Sequence, residues 1–317
     1  MFRMKRFFGN PAVLVFLTLY VVSFGVLARN KDFQPAESLV VLVLFGIVLP
    51  LVAWFATRWA KPLNLAPTQG GWEVVLILGL LIGLAIYLIH GPQAIDALLP
   101  RAWIGSPQIH FFVTVTKKLL IFVLLPFAAF RILFGYKWRD FGLQIAGLRE
   151  LVRSHLPVVL VLCAAILAFQ FFVGGAAAPL REGRFRAPQL LIAVPLCFAW
   201  LAVEAGLVEE FFFRAVVQAR LAAWFKSEIT GVALMALVFG MAHAPGFIFR
   251  HAGEVEGLGA NPTALDAVAY AIVTLAPGAI VFGVVWARTK NLLAVIVIHA
   301  AMDLFPNVSE FIATWRI

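Results

Sequence analysis

Three observations predict an all-α fold, a polytopic bundle of about eight or nine membrane-spanning helices. The chain of 317 residues is 63% hydrophobic and 13% charged, with a mean hydropathy of +0.97, a balance that no water-soluble domain of this size carries. Its apolar runs reach the roughly 20 residues that take a helix across a hydrocarbon core of about 30 Å. The alternating ten-residue pattern of an outer-membrane barrel is missing, so the spans satisfy their backbone groups as helices.

Spans are expected near 11–28, 38–57, 73–90, 112–134, 156–174, 190–224, 229–246, 265–287 and 291–307. The first follows Arg3, Lys5 and Arg6 as a signal peptide would, yet it outruns a typical apolar region and has no small-x-small cleavage site, so a retained anchor is expected. The fourth contains Lys117 and Lys118, whose aliphatic stems allow their ammonium groups to reach toward a headgroup layer. The sixth is too long for one plain crossing and must tilt, project from the bilayer or begin later than its first apolar residue. Asn291 is placed to begin the last span. Residues 137–153 interleave aromatic and aliphatic side chains with cations at helical spacing, the pattern of an interfacial amphipathic helix. The expected organisation is therefore N-terminal helices over 1–136, this interfacial segment over 137–153, and a core over 154–317 that holds most of the polar residues within spans.

Charge sets the expected orientation. With the N-terminus inside, 15 of the 25 Lys and Arg fall on the cytoplasmic side, eight outside, and Lys117 and Lys118 within a span, which favours that placement. The net charge of +9 is scattered through the connections, where it reports topology and anionic lipid rather than a nucleic-acid partner. Cys163 and Cys197 each lie inside an apolar run and read as small hydrophobes, with no disulfide framework or Cys-based metal site.

Three polar clusters interrupt the apolar core. They are Glu209-Glu210-Phe-Phe-Phe-Arg214, then Phe239-Gly-Met-Ala-His243, then His299-Ala-Ala-Met-Asp303. A charged group at the centre of a membrane helix costs about 2.5–3.5 kcal/mol on insertion scales, so each is a functional candidate. Residues four apart share a helix face, which puts Glu210 beside Arg214, Phe239 beside His243 and His299 beside Asp303. Glu209 points about 100° away from Glu210, so one glutamate is held by the arginine and the other is left for chemistry. Glu204, five residues before Glu209, is at an awkward offset for the same face and reads as a supporting or structural residue. Glu209 and His243 lie 17 residues on either side of Lys226, about 25 Å from that turn at the helical rise, and so can meet across a hairpin. A glutamate and a histidine converging on one point can deprotonate and orient a water molecule, and His299 with Asp303 can stabilise the oxyanion that its attack creates.

This motif order resembles the CAAX protease and bacteriocin-processing family, the CPBP or Abi family of glutamic intramembrane proteases that includes the type II CAAX prenyl endopeptidases. The resemblance covers about 155–307, and Lys-Trp-Arg-Asp-Phe-Gly-Leu at 137–143 is similar to a segment often found before that core. It implies an endopeptidase in which Glu209 and His243 activate water, Glu210 and Arg214 support the glutamate, Phe239 accompanies the histidine, and His299 and Asp303 form the oxyanion side. No cofactor is implied. The implied partners are the lipid bilayer and a membrane-associated peptide or protein, lipidated or bacteriocin-like, and the implied location is a bacterial inner membrane. Asp303 departs from members that carry Asn there, because an ionised carboxylate cannot donate, so it acts protonated or by orienting His299. Ala215 stands where Gly commonly follows the motif arginine.

Two other classes fit the same residues. A Glu, His, His and Asp set with an open position for water could hold zinc as a metalloprotease does. Intramembrane carboxylates also mark ion pathways, so a transporter or an immunity scaffold that binds a peptide without cutting it is the non-enzymatic alternative.

Overall fold

The computed structural model describes residues 9–65, 68, 70–144, 155–248, 257–259 and 261–317. Among these, six helices are long and apolar enough to cross a membrane, and two bent pairs raise the number to eight. In chain order α1 is Pro11–Leu27, α2 Pro35–Ala56, α3 Gly71–Asp96, α4 Pro107–Phe134, α5 Leu156–Phe172, α6 Ala187–Trp224, α7 Glu228–Ile248, α8 Ala264–Thr274, α9 Ala276–Thr289 and α10 Leu292–Trp315. No strand occurs among the described residues.

Local chemistry marks the helix ends. Asn10 and Ser106 cap α1 and α4 with their side-chain oxygens, each followed by a proline whose missing N–H costs nothing at that position. Asn291 accepts from the Ala294 N–H at 3.2 Å and opens α10, as its position in the sequence suggests. Gly135, left-handed at φ 75°, stops α4. One expected span is broken: the eighth divides into α8 and α9 at a 45° bend. Past the end of the fifth, α5 turns through 73° into the short helix Gly175–Arg181. The sixth is one helix of 38 residues, about 57 Å at the α-helical rise, nearly twice a hydrocarbon core. Large apolar side chains such as Val21, Ile82, Ile132 and Leu191 are exposed on the protein surface, as lipid-facing positions are.

The chain packs as two compact units, each described by itself. One is drawn from residues 1–55, 67–94 and 216–287, the other from 56–66, 95–215 and 288–317. In the first, α1, α7 and α8 pack on one another. A Cβ at Gly240 of α7 would lie 2.9 Å from the Ala271 carbonyl oxygen of α8, so only glycine permits that approach. Glu73 and Arg220 form an ion pair at 3.1 Å, both almost wholly buried. In the second unit, α5 and α6 pack on α10 around Ala193, Cys197, Leu201, Ala300, Leu304 and Val308. A Cβ at Gly206 of α6 would meet the Ile296 carbonyl oxygen at 2.8 Å, which brings these two backbones together just ahead of Glu209.

The interfacial helix expected over 137–153 falls largely outside the described residues. Its first turn is a 3-10 helix, Trp138–Phe141, with Phe141 fully buried. Arg250, Glu254 and Glu256 also lie outside them.

Candidate active site

Residues Ala202–Leu207 and Phe211–Gln218 of α6 are π-helical, with only Val208–Glu210 in α geometry between them. Such wide turns are rare and concentrate at functional sites. Glu204 lies in the first π-helical stretch and Glu209 in the short α-helical turn that follows it. The motif phenylalanines hold this segment. Phe211, Phe212 and Phe213 are all buried to within 1%. Phe211 packs on Phe141 and Trp138 with ring centres 5.0 and 5.8 Å apart, and Phe212 and Phe213 both pack on Phe122 of α4. The Leu292 N–H donates to the Gly142 carbonyl at 3.2 Å. The aromatic stretch 137–143 thus ties α6 to the start of α10.

Glu210 is the centre of the polar cluster. It and Arg214 are fully buried, and the arginine Nε–H donates to Oε2 at 2.8 Å. The other oxygen, Oε1, meets His299 Nδ1 at 2.7 Å. An ionised carboxylate only accepts, so Nδ1 carries the hydrogen of that bond, and one buried charge has a charge-assisted partner on each oxygen. The opposite ring nitrogen, Nε2, is 3.3 Å from Asp303 Oδ2 and 3.8 Å from Glu209 Oε2. A proton on either Nε2 or the Asp303 carboxyl must lie in the shorter contact, since two lone pairs would repel. Side-chain exposure rises across the cluster, from nothing at Glu210 to 15% at Glu209 and 31% at Asp303. The site therefore has a dry, fixed end and an accessible acidic end, joined by one imidazole.

Two further charges belong here. Lys118 of α4 forms an ion pair with Glu204 and also lies 3.5 Å from the Glu204 carbonyl oxygen. Lys117 pairs with Asp96 at 2.7 Å. Both lysines, expected to reach toward headgroups, meet carboxylates instead. Glu204 also lines a cleft of about 250 Å³ with His110, Thr114, Trp200, Asn307 and Glu310. A signal for the Lys118–Glu204 pair was present in the sequence: opposite charges inside two apolar runs, each costly alone, lower that cost by meeting.

Phe239 and His243 belong to the first unit. There His243 Nδ1 is 2.8 Å from the Phe239 carbonyl oxygen, and the two rings lie 4.7 Å apart. A carbonyl only accepts, so Nδ1 holds the hydrogen and the neutral imidazole has its basic lone pair on Nε2. Glu209, Glu210, Arg214, His299 and Asp303 are thus gathered in the second unit, and the Glu209–His243 pair expected across the hairpin divides between the two units.

Among the described residues, no group of three or more His, Cys, Asp or Glu is placed to hold a metal ion. No curated protein and no solved structure matches the chain. Residues 191–305 match the sequence model of the family described as type II CAAX prenyl endopeptidase, Rce1-like. That segment contains all three motifs, from Glu209 to Asp303, and omits Lys118. Over residues 191–305, the stretch that carries the three motifs, the chain is similar to the Rce1-like type II CAAX prenyl endopeptidases.

Proposed function

We propose that the protein is a glutamic-type intramembrane endopeptidase that cuts a peptide bond in a membrane-associated substrate, lipidated or bacteriocin-like, in a bacterial inner membrane. The observation that carries this reading is the ordered polarity around His299. Its Nδ1 is fixed by the buried Glu210–Arg214 pair, and its Nε2 faces the two accessible carboxylates, Glu209 and Asp303.

In this reading Glu209, helped by the Nε2 lone pair of His243, takes a proton from a water molecule as its oxygen bonds to the scissile carbonyl carbon. The carbonyl π electrons move to oxygen, and the developing oxyanion is stabilised from the side of His299 and Asp303. The C–N bond then breaks and the proton held by the Glu209–His243 pair passes to the leaving amine, so no covalent intermediate forms and no net proton is lost. Glu210, Arg214 and Phe239 support these groups.

The test is proteolysis of a membrane-peptide mixture by detergent-purified protein after exhaustive treatment with a strong chelator. Cleavage is expected to survive. Complete loss that is restored by zinc would replace the glutamic mechanism with a metal one, and binding of peptides without cleavage would replace the enzyme with a scaffold.

Asp303 gives a second expectation. Asp303→Asn keeps a polar group of the same shape beside Nε2 and is expected to retain most activity, whereas Asp303→Ala should lose about 10- to 1000-fold in kcat. Equal loss in both variants would show that a carboxylate is required and would withdraw the oxyanion assignment.

A further inference from the structure

Arg214 is committed to Glu210 inside the core. Three carboxylates remain in the same unit, Glu204, Glu209 and Asp303, and all three lie within electrostatic reach of the Lys118 ammonium. Glu209 and Asp303 both approach a single atom, His299 Nε2, at 3.8 and 3.3 Å, so their oxygens are separated by no more than the sum of those distances. Two carboxylates that close repel in a low-dielectric site. His299 has only one nitrogen turned toward them, since the other is engaged with Glu210. A positive charge on the accessible side would offset that repulsion, and α4 supplies one in Lys118. The segment Leu119–Leu124, which starts directly after Lys118, packs on Val208–Glu210, and Phe122 rests on Phe212 and Phe213. These contacts set the height of Lys118 along α6. Glu204, five residues before Glu209, holds the ammonium there through its carboxylate and its carbonyl.

The geometry points to Lys118 as a positioning residue of the hydrolytic site, anchored by Glu204 and holding Glu209 and Asp303 together around His299. This inference rests on the catalytic reading above. It extends the functional machinery to a helix outside the matched segment 191–305. The competing account is a Lys–Glu pair that merely fastens α4 to α6.

The experiment compares Lys118→Met, Lys118→Arg, Glu204→Gln and, as a control, Glu209→Gln, with kcat, KM and thermal unfolding measured in proteoliposomes on one cleaved peptide. Removing the charge is expected to lower kcat about 10- to 100-fold with KM unchanged. Lys118→Arg, which keeps the cation, should stay within about threefold of wild type. Glu204→Gln loosens the anchor but leaves the cation, and is expected to fall between them. A fastening role predicts instead that Lys118→Met and Glu204→Gln lower the unfolding temperature alike while the folded fraction keeps wild-type kcat, and that result overturns the proposal. If Lys118→Met does not fold, the exchange Lys118→Glu with Glu204→Lys preserves the pair with its ends reversed. Reduced kcat in that folded protein supports the role, and wild-type kcat removes it. Cleavage indifferent to Glu209→Gln overturns the catalytic reading and this inference with it. Cleavage that needs Glu209 but ignores Lys118 overturns this inference alone.

Discussion

Glu209→Gln is expected to lower kcat for membrane-peptide cleavage by about 10²–10⁴-fold, the range for a lost general base, with thermal unfolding unchanged. The amide has the same shape, and the side chain retains some exposure at 15%, so water can reach the position where the charge is removed. What disappears is the capacity to take a proton. Proteolysis and unfolding should be measured on the same preparation. Activity within threefold of wild type would remove Glu209 from the mechanism, and joint loss of activity and folding would assign it to the scaffold.

The opposite pattern is expected at Arg214. Replacing it with Met leaves the Glu210 carboxylate, which is 0% exposed, with one of its two partners gone. Breaking a buried pair from one side destabilises by about 3–5 kcal/mol. Removing both charges at once, in Glu210→Gln with Arg214→Met, leaves no uncompensated ion and should regain most of that stability. Activity should not return with it, because His299 has then lost the charged acceptor that fixes its ring. Denaturant or thermal unfolding in detergent reads the first quantity and peptide cleavage the second. An Arg214→Met variant as stable as wild type would mean that Glu210 does not carry a buried charge.

Fold class was legible because bilayer thickness dictates run length, and the long apolar runs return as helices. Breaks inside the runs were invisible to hydropathy and carried by residue type instead. The α8–α9 bend falls at Leu275, two residues before Pro277-Gly278, where the proline ring and missing N–H interrupt the helical ladder. Within the site, a spacing of four placed Glu210 beside Arg214 and His299 beside Asp303, and both pairs are in contact at 2.8 and 3.3 Å. Local geometry on one helix determines those contacts. The bond from Glu210 to His299 joins residues 89 apart, and nothing in helical periodicity chooses which face of α10 meets α6. The partner of Glu204 was not legible because it comes from another helix, in Lys118. Lys118 looked interfacial because a single-helix view gives a buried lysine nowhere to go but the headgroups.

Because Glu210 and Arg214 lie one turn apart on the same helix, their pairing also bears on how the chain is made. A growing polypeptide delivers α6 to the lipid phase well before α10 has been synthesised, and a lone carboxylate at mid-membrane carries an insertion penalty of about 2.5–3.5 kcal/mol. The arginine is on hand at once, so the Glu210 carboxylate can enter the lipid phase as half of a neutral pair. His299 then docks onto a carboxylate that is already oriented, and the order of biogenesis matches the order of burial: the salt link first, the imidazole later.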